Sequence, residues 1–339
     1  MSAVSLFSRC ATRTRVSVRS VSHGFERLLR PNDLQASALD LTEVDVNLYL
    51  APFKNLWVPA GGVGVFGGQV LGQCLHAASL TSEDPAFELH SLHAYFLRPG
   101  DATRDIVYTV KRTRDGRSFI SRSVEASQRG RVIFKCSVSF HRQVSVDAAQ
   151  LEHQAVMPDV PPPESIEPFD HERLIRSLLA RKSKGAGGLC ELDEKGIRET
   201  VLRALDQPIP VDVRWIDKNP ANMEPRPAKQ MAWIKTCRPL PDTPHLHRAV
   251  ASFYSDYYLL ITALLPHGIG FPSSRIDVLA SLDHSMWFHA PFRADEWMLL
   301  EFDSPWAGGA RGLSFARFYT PSGELAVSCA QEGLIRLKS

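Results

Sequence analysis

The sequence predicts an α+β chain in which one unit occurs twice, a long apolar helix followed by an antiparallel meander of strands. Three observations predict it. Two helical segments are each followed by strands of period-2 alternation, joined by short Gly-bearing turns. The two runs match each other at a constant offset of about 192 residues, so that Cys136 falls opposite Cys329. A proline-rich stretch separates them.

The elements follow in order. On the left, "TEVDVNLYL" reads as a strand and "VFGGQVLGQCLHAASL" as a helix. The strands "HSLHAYFLR", "DIVYTVKRTR", "SFISRSVEAS" and "VIFKCSVSFHR" come next, with a break at Pro99 and a turn at Asp115-Gly116. In "MPDVPPPESIEP", the prolines 158, 161, 162, 163 and 168 preclude regular structure and read as a semi-rigid linker. Two helices are expected beyond it, "HERLIRSLLARKSK" and "CELDEKGIRETVLRAL", ended by Pro208 and Pro210. On the right, "VDVRWI" and "KQMAWIKTC" precede the helix "HLHRAVASFYSDYYLLITALL". The strands "SLDHSMWFHA", "EWMLLEFDS", "GLSFARFYT" and "AVSCAQEGLIR" complete the repeat. One apolar helix cannot bury itself, whereas a sheet curled around it and paired with a second copy removes both from water. A helix wrapped by an antiparallel sheet is the hot-dog arrangement, and two in tandem make a double hot-dog. The expected organisation is a leader over residues 1–30, an N-terminal unit over 31–145, a linker and helical connection over 146–205, and a C-terminal unit over 206–339.

Composition narrows the function classes. The formal net charge is +2, with no electrostatic footprint for nucleic acid. No apolar run approaches the roughly 18 to 20 residues that cross a bilayer. Four leader arginines, Arg9, Arg13, Arg15 and Arg19, exceed that net charge, which leaves a mildly acidic body. An Arg-rich, Ser-rich, acid-free start reads as a mitochondrial-type transit peptide or, since its β-branched residues make a poor amphipathic helix, as a disordered, untargeted leader. Six scattered cysteines without a C-x-x-C pair fit a reduced compartment. No H-E-x-x-H or similar ligand spacing points to a metal, and no G-x-S-x-G elbow to an α/β-hydrolase. "GVGVFGGQVLG" is superficially similar to a dinucleotide fingerprint but lacks a βαβ setting; its glycines suit close helix–sheet packing. No cofactor is expected.

Two polar residues sit where apolar ones are expected. Asp256 lies on or beside the stripe Leu246, Val250, Phe253, Tyr257 and Leu260. A carboxylate there must be hydrogen-bonded, and apolar surroundings raise its pKa; it is functional, or it points to a loop or pairs with a nearby arginine. In the last strand Val327, Cys329 and Gln331 share a face, so Gln331 either satisfies the core or orients a water or hydroxyl. In "SLDHSMWFH", a regular strand would place Ser281, Asp283, Ser285, Trp287 and His289 on one face and His284 on the other. Asp283 and His284 then point apart, which argues against a compact triad within the segment.

The segments "VFGGQVLGQCL", "HSLHAYFLRPG", "RDGRSFISRSVEASQRGRVIF", "SDYYLLITALLPHG", "SLDHSMWFHAPFRADEWMLLEFDSPWAGGARGL" and "AQEGLIR" together resemble the type II (TesB-like) acyl-CoA thioesterases. The resemblance runs from about residue 33 to 339, weakens through the middle, and leans towards the eukaryotic peroxisomal branch. It implies a double hot-dog fold and hydrolysis of medium- to long-chain acyl-CoA. By motif it places the catalytic set on Asp256, Ser281 and Gln331. It also implies association into a homo-oligomer, and a peroxisomal address where the leader suggests a mitochondrial one. Two other readings stay open. One is hydration or dehydration of an acyl thioester, which calls for a His paired with Asp or Glu in the tunnel. The other is an acyl-CoA or protein-binding module without turnover.

Overall fold

The computed structural model describes residues 39–59, 64–143, 151–168, 211–217, 224–271, 273 and 275–338. The Arg-rich leader and the two helices expected in the middle region lie outside them. The chain opens with a hairpin, β1 (Thr42–Asp45) and β2 (Leu48–Ala51), turned at Asn47, whose φ is 58°. Helix α1 (Gly67–Leu80) follows, then β3 (Phe87–Phe96), β4 (Ile106–Asp115), β5 (Phe119–Gln128) and β6 (Arg131–Arg142). The second run comprises β7 (Val211–Trp215), β8 (Lys229–Thr236), α2 (Pro244–Tyr258), a 3₁₀ segment (Leu260–His267), β9 (Ile276–Ser281), β10 (Asp283–Phe288), β11 (Met298–Gly308), β12 (Arg311–Tyr319) and β13 (Leu325–Leu337). The hairpins β5–β6 and β11–β12 turn alike, at Arg129-Gly130 and Gly309-Ala310. All four residues have positive φ, the backbone that fits the right-handed twist of the flanking strands.

The described strands form one antiparallel sheet in the order β1-β2-β4-β5-β6-β3-β10-β13-β12-β11-β8-β7, with β9 on β13. The two meanders meet where β3 pairs with β10. There Ser285 lies opposite His93, its counterpart 192 residues earlier, and the two side chains hydrogen-bond at 3.0 Å. The axis of the repeat therefore passes through that pair, with Asp283 facing Tyr95 as Trp287 faces Ser91.

Helix α1 is largely apolar and buried from Gly68 to Ala78 apart from the half-buried His76, with Gln69 and Gln73 as its buried polar residues. It packs against α2, and the two run antiparallel: Gly68 meets the Phe253 carbonyl, Gly72 the Ala249 carbonyl, and His76 stacks on His245. Gly68 and Gly72 thus permit close approach of helix to helix, rather than helix to sheet as their spacing suggested. Thr243 starts α2 without a side-chain cap bond, and Pro244 occupies the first turn, where no N–H partner is required. Neighbouring Asp242 pairs with Arg293 instead.

The prolines of 158–168 do exclude regular structure apart from a short 3₁₀ turn, Pro163–Ser165. The segment is nevertheless docked on the second half. Met157, Val160 and Ile166 pack on Trp233, Leu299 and Tyr319. The Trp233 indole donates to the Pro161 carbonyl at 2.9 Å, and Gln154 bonds both the Gly323 carbonyl and the Leu325 N–H.

The two halves share one more irregularity. In β3 the pairing with β6 slips between Leu89 and Ser91. In the second half three residues separate Ser281 from Ser285, whereas two separate their partners Gly333 and Ala330 on β13. One extra residue, Leu282, therefore breaks the strand into β9 and β10. A slip of one residue turns every side chain beyond it to the opposite face.

Candidate active site

That bulge decides where Ser281 points. Regular alternation would set Ser281 beside Asp283, on the face away from the helices. The extra residue at Leu282 returns it to the helix-facing side, opposite Gly333 and alongside the row that includes Gln331. Asp283 stays on the other face and accepts the Glu332 N–H at 2.9 Å.

Three side chains from separate elements converge there. Asp256 comes from the last turn of α2, Ser281 from the end of β9, and Gln331 from the middle of β13. The Ser281 hydroxyl donates to Asp256 Oδ1 at 3.2 Å. Gln331 Nε2 donates to Ser281 Oγ at 2.7 Å and also to Asp256 Oδ1. Gln331 is 0% exposed, and its Oε1 takes no donor from the described residues. One oxygen of the carboxylate thus gathers two donors, while the amide carbonyl presents an acceptor beside them.

The other half of the repeat completes the site. The start of α1 abuts the carboxylate: a Cβ on Gly67 would lie 2.8 Å from Asp256 Oδ2 and 2.7 Å from the Phe96 ring. The Gly68 N–H near the same carboxylate opposes the rise of its pKa, as a helix N-terminus does for an anion. Burial pushes the Asp256 carboxyl above the usual carboxylate range, opposed by the donors Gln331, Ser281 and Gly68. An aromatic group surrounds the junction. Phe66 packs edge-on against Trp57, Phe253 and Tyr257, with centroids 5.1, 5.2 and 5.8 Å away.

The sequence pattern assigns no role at the site to Gly67, Gly68 or Phe96. The doubled glycine opening an apolar helix was the available signal, because only a residue without Cβ admits a carboxylate so close to the helix start.

The conspicuous polar residues of "SLDHSMWFH" disperse. His284 is wholly buried beneath α2, 3.0 Å from Ser255 Oγ. Ser255 directs its proton to the Ser252 carbonyl at 2.9 Å, so His284 donates from Nε2, and its Nδ1 has no partner among the described residues. Burial lowers that imidazole to about 3, so it stays neutral and serves as scaffold. His289 bonds Ser328 at 2.9 Å on the outer side of the sheet. Among the described residues no group of three or more His, Cys, Asp or Glu could hold a metal ion, and no helix is long and apolar enough to cross a membrane.

Comparison with known proteins gives the family. The model of the acyl-CoA thioesterase N-terminal domain matches residues 55–141, and that of acyl-CoA thioesterase matches residues 204–334. Acyl-coenzyme A thioesterase 8 of Mus musculus is 43% identical over 310 residues, covering 90% of this chain and 89% of its own. The chain belongs to the acyl-CoA thioesterase family. It is therefore a thioester hydrolase, of the type II, TesB-like kind. A relative from Saccharomyces cerevisiae, described as a peroxisomal acyl-coenzyme A thioester hydrolase, is 26% identical and covers 89% of this thioesterase and 97% of its own chain. The crystal structure of acyl-CoA thioesterase II TesB2 from Mycobacterium marinum superposes with a TM-score of 0.67 at 35% identity, covering 90% of this chain and 99% of that one. The fold of this thioesterase is accordingly the double hot-dog.

Proposed function

We propose that this thioesterase cleaves medium- to long-chain fatty acyl-CoA to fatty acid and CoA through a water activated by Asp256, Ser281 and Gln331. The observation that carries the reading is their convergence from three elements into one hydrogen-bonded group beside a helix N-terminus. A thioester carbonyl is a good electrophile, so a positioned water attacks it without a strong base. Asp256 takes the water's proton, and its raised pKa makes it a better base than an exposed carboxylate. Ser281 and the Gln331 Oε1 hold the water. The developing oxyanion falls to N–H groups in the first turn of α1, Gly67 foremost, at the positive end of the helix. Ser281 is read as holding the water and not as the nucleophile, because no imidazole among the described residues stands beside it as base.

The test is release of CoA thiol from acyl chains of about 8 to 18 carbons by Asp256→Asn, with kcat expected to fall at least about 100-fold and KM to hold. Unchanged turnover would remove Asp256 from the reaction.

The proposed compartment is a matrix, mitochondrial or peroxisomal. The Arg-rich leader supports the first, and likeness to a relative named peroxisomal supports the second. A reporter fused to residues 1–30 separates them. The proposed assembly is a homo-oligomer, supported by a sheet whose described strands end in β1 and β7, each paired on one side only among the described residues; light scattering tests it.

A further inference from the structure

Gln69 is the third residue of α1 and is 0% exposed, although it carries a full amide. A leucine or methionine would fill the same space without the cost of desolvating an amide. The side chain reaches outside its own helix. Its Oε1 accepts the Trp57 N–H at 2.8 Å, and its Nε2 donates to the Asn55 carbonyl at 2.7 Å. An amide that pairs with a C=O and an N–H two residues apart grips that backbone as a neighbouring strand would. The Phe66 N–H reinforces the joint by donating to the Trp57 carbonyl at 2.9 Å. The segment held in this way carries Trp57, whose ring lies 6.0 Å from that of Tyr257, the residue after Asp256. On the opposite side of the same helical turn stand Gly67 and Gly68, against the Asp256 carboxylate.

We propose that Gln69 is a positioning residue for the hydrolysis: its amide pins the 55–57 segment to the first turn of α1 and so holds the Gly67–Gly68 start of that helix against the Asp256 carboxylate. The inference rests on the reading of Asp256 as the base. Loss of both bonds frees the helix start to drift, and displacement of about 1 Å in a catalytic group costs on the order of 100-fold in rate.

Two substitutions and one control test it. Gln69→Met keeps the volume and removes both bonds. The expected result is a native near-ultraviolet spectrum, an unchanged KM and a kcat lower by roughly 10- to 100-fold. The acidic limb of kcat should also move to higher pH, because a carboxylate deprived of an N–H donor holds its proton more tightly. Gln69→Glu supplies a conditional rescue. Its buried carboxyl, while protonated, can donate to Asn55 and accept from Trp57 as the amide does. Activity relative to the parent should therefore be highest at mildly acidic pH and decline as that carboxyl ionises.

A merely space-filling Gln69 predicts neither the displaced limb nor the pH-dependent rescue, and normal kcat and limb in both variants would overturn the inference. So would a fall in kcat that only tracks the loss of folded protein. Asp256→Asn, assayed beside them, keeps the two readings apart. If it is inactive while the Gln69 variants are normal, the inference on Gln69 fails alone. If it turns over like the parent, the reading of Asp256 fails.

Discussion

Gly68→Ala strikes the packing of the two helices and the catalytic geometry together. A Cβ built on Gly68 lies 2.2 Å from the Phe253 carbonyl oxygen and 2.6 Å from the Phe66 ring. The ring can rotate away, but the carbonyl belongs to the backbone of α2. To restore ordinary contact the helices must part by about 1 Å at this point. Overpacking of this sort costs about 1 to 3 kcal/mol. Alanine returns about 1 kcal/mol through its higher helix propensity, less so near the helix end. The net loss should be about 1 to 2 kcal/mol, read as a lower urea midpoint at unchanged slope. The same displacement draws the Gly68 N–H from Asp256, so kcat should fall by on the order of 100-fold. Gly72→Ala supplies the comparison. Its Cβ would stand 2.8 Å from the Ala249 carbonyl, so it requires a smaller separation, and Gly72 makes no contact with Asp256 in the described bonds. It should be the milder of the two in stability and much the milder in kcat. The reasoning is refuted if Gly68→Ala unfolds and turns over like the parent, or if Gly72→Ala is the more damaging.

Two further predictions concern buried titratable groups. Burial, aided for His76 by His245, holds His76 near 4 and His284 near 3 in the folded chain, against 6.5 when unfolded. Above pH 6.5 both states are neutral and nothing is lost. As pH falls below 6.5 the unfolded chain binds these protons first, so stability drops by up to about 1.4 kcal/mol per pH unit for each imidazole. The drop should continue to about pH 4 for both and to about pH 3 for His284 alone; His76→Phe should lessen the slope of the urea midpoint against pH, and an identical slope would contradict it. Among the cysteines, Cys74, Cys136 and Cys329 are buried, with thiols pushed up by burial, Cys136 to about 12, whereas Cys237 is exposed. Brief alkylation of the native protein should label Cys237 and spare those three in a peptide map, and equal labelling would show that the core opens.

The repeat was legible because a strand writes its face into the sequence every second residue, and two runs that match at one offset reinforce each other. Asp256 and Gln331 announced themselves as polar residues on apolar faces. Ser281 did so only through the motif of its family, since regular alternation pointed it away from the site. Its true direction depends on the slip at Leu282, which is visible only in how β9 and β10 pair with β13. Gly68 and Gln69 were hidden for a related reason. Their partners, the Asp256 carboxylate and the backbone at Asn55 and Trp57, are brought beside them by the packing of α1 on α2 and by loop closure. The prolines of 158–168 forbade regular structure correctly, but nothing in proline chemistry says whether such a segment floats or docks; the pocket for Met157 and Val160 is made by Trp233, Leu299 and Tyr319.

The matched slips in the two halves have a consequence for how many reaction centres the duplication left. Because the strand break at Leu282 has its counterpart between Leu89 and Ser91, the two halves can be superposed through it residue by residue. Ser281, opposite Gly333, then falls on Leu89, opposite Phe140, and Gln331 falls on Val138. The first half therefore presents aliphatic side chains and a phenyl ring where the second presents a hydroxyl, an amide and a glycine. On the proposed reading of Ser281 and Gln331, the reacting side chains of this pair come from the second half alone. The first half then serves that site as wall, and its share is the opening turn of α1 against the Asp256 carboxylate.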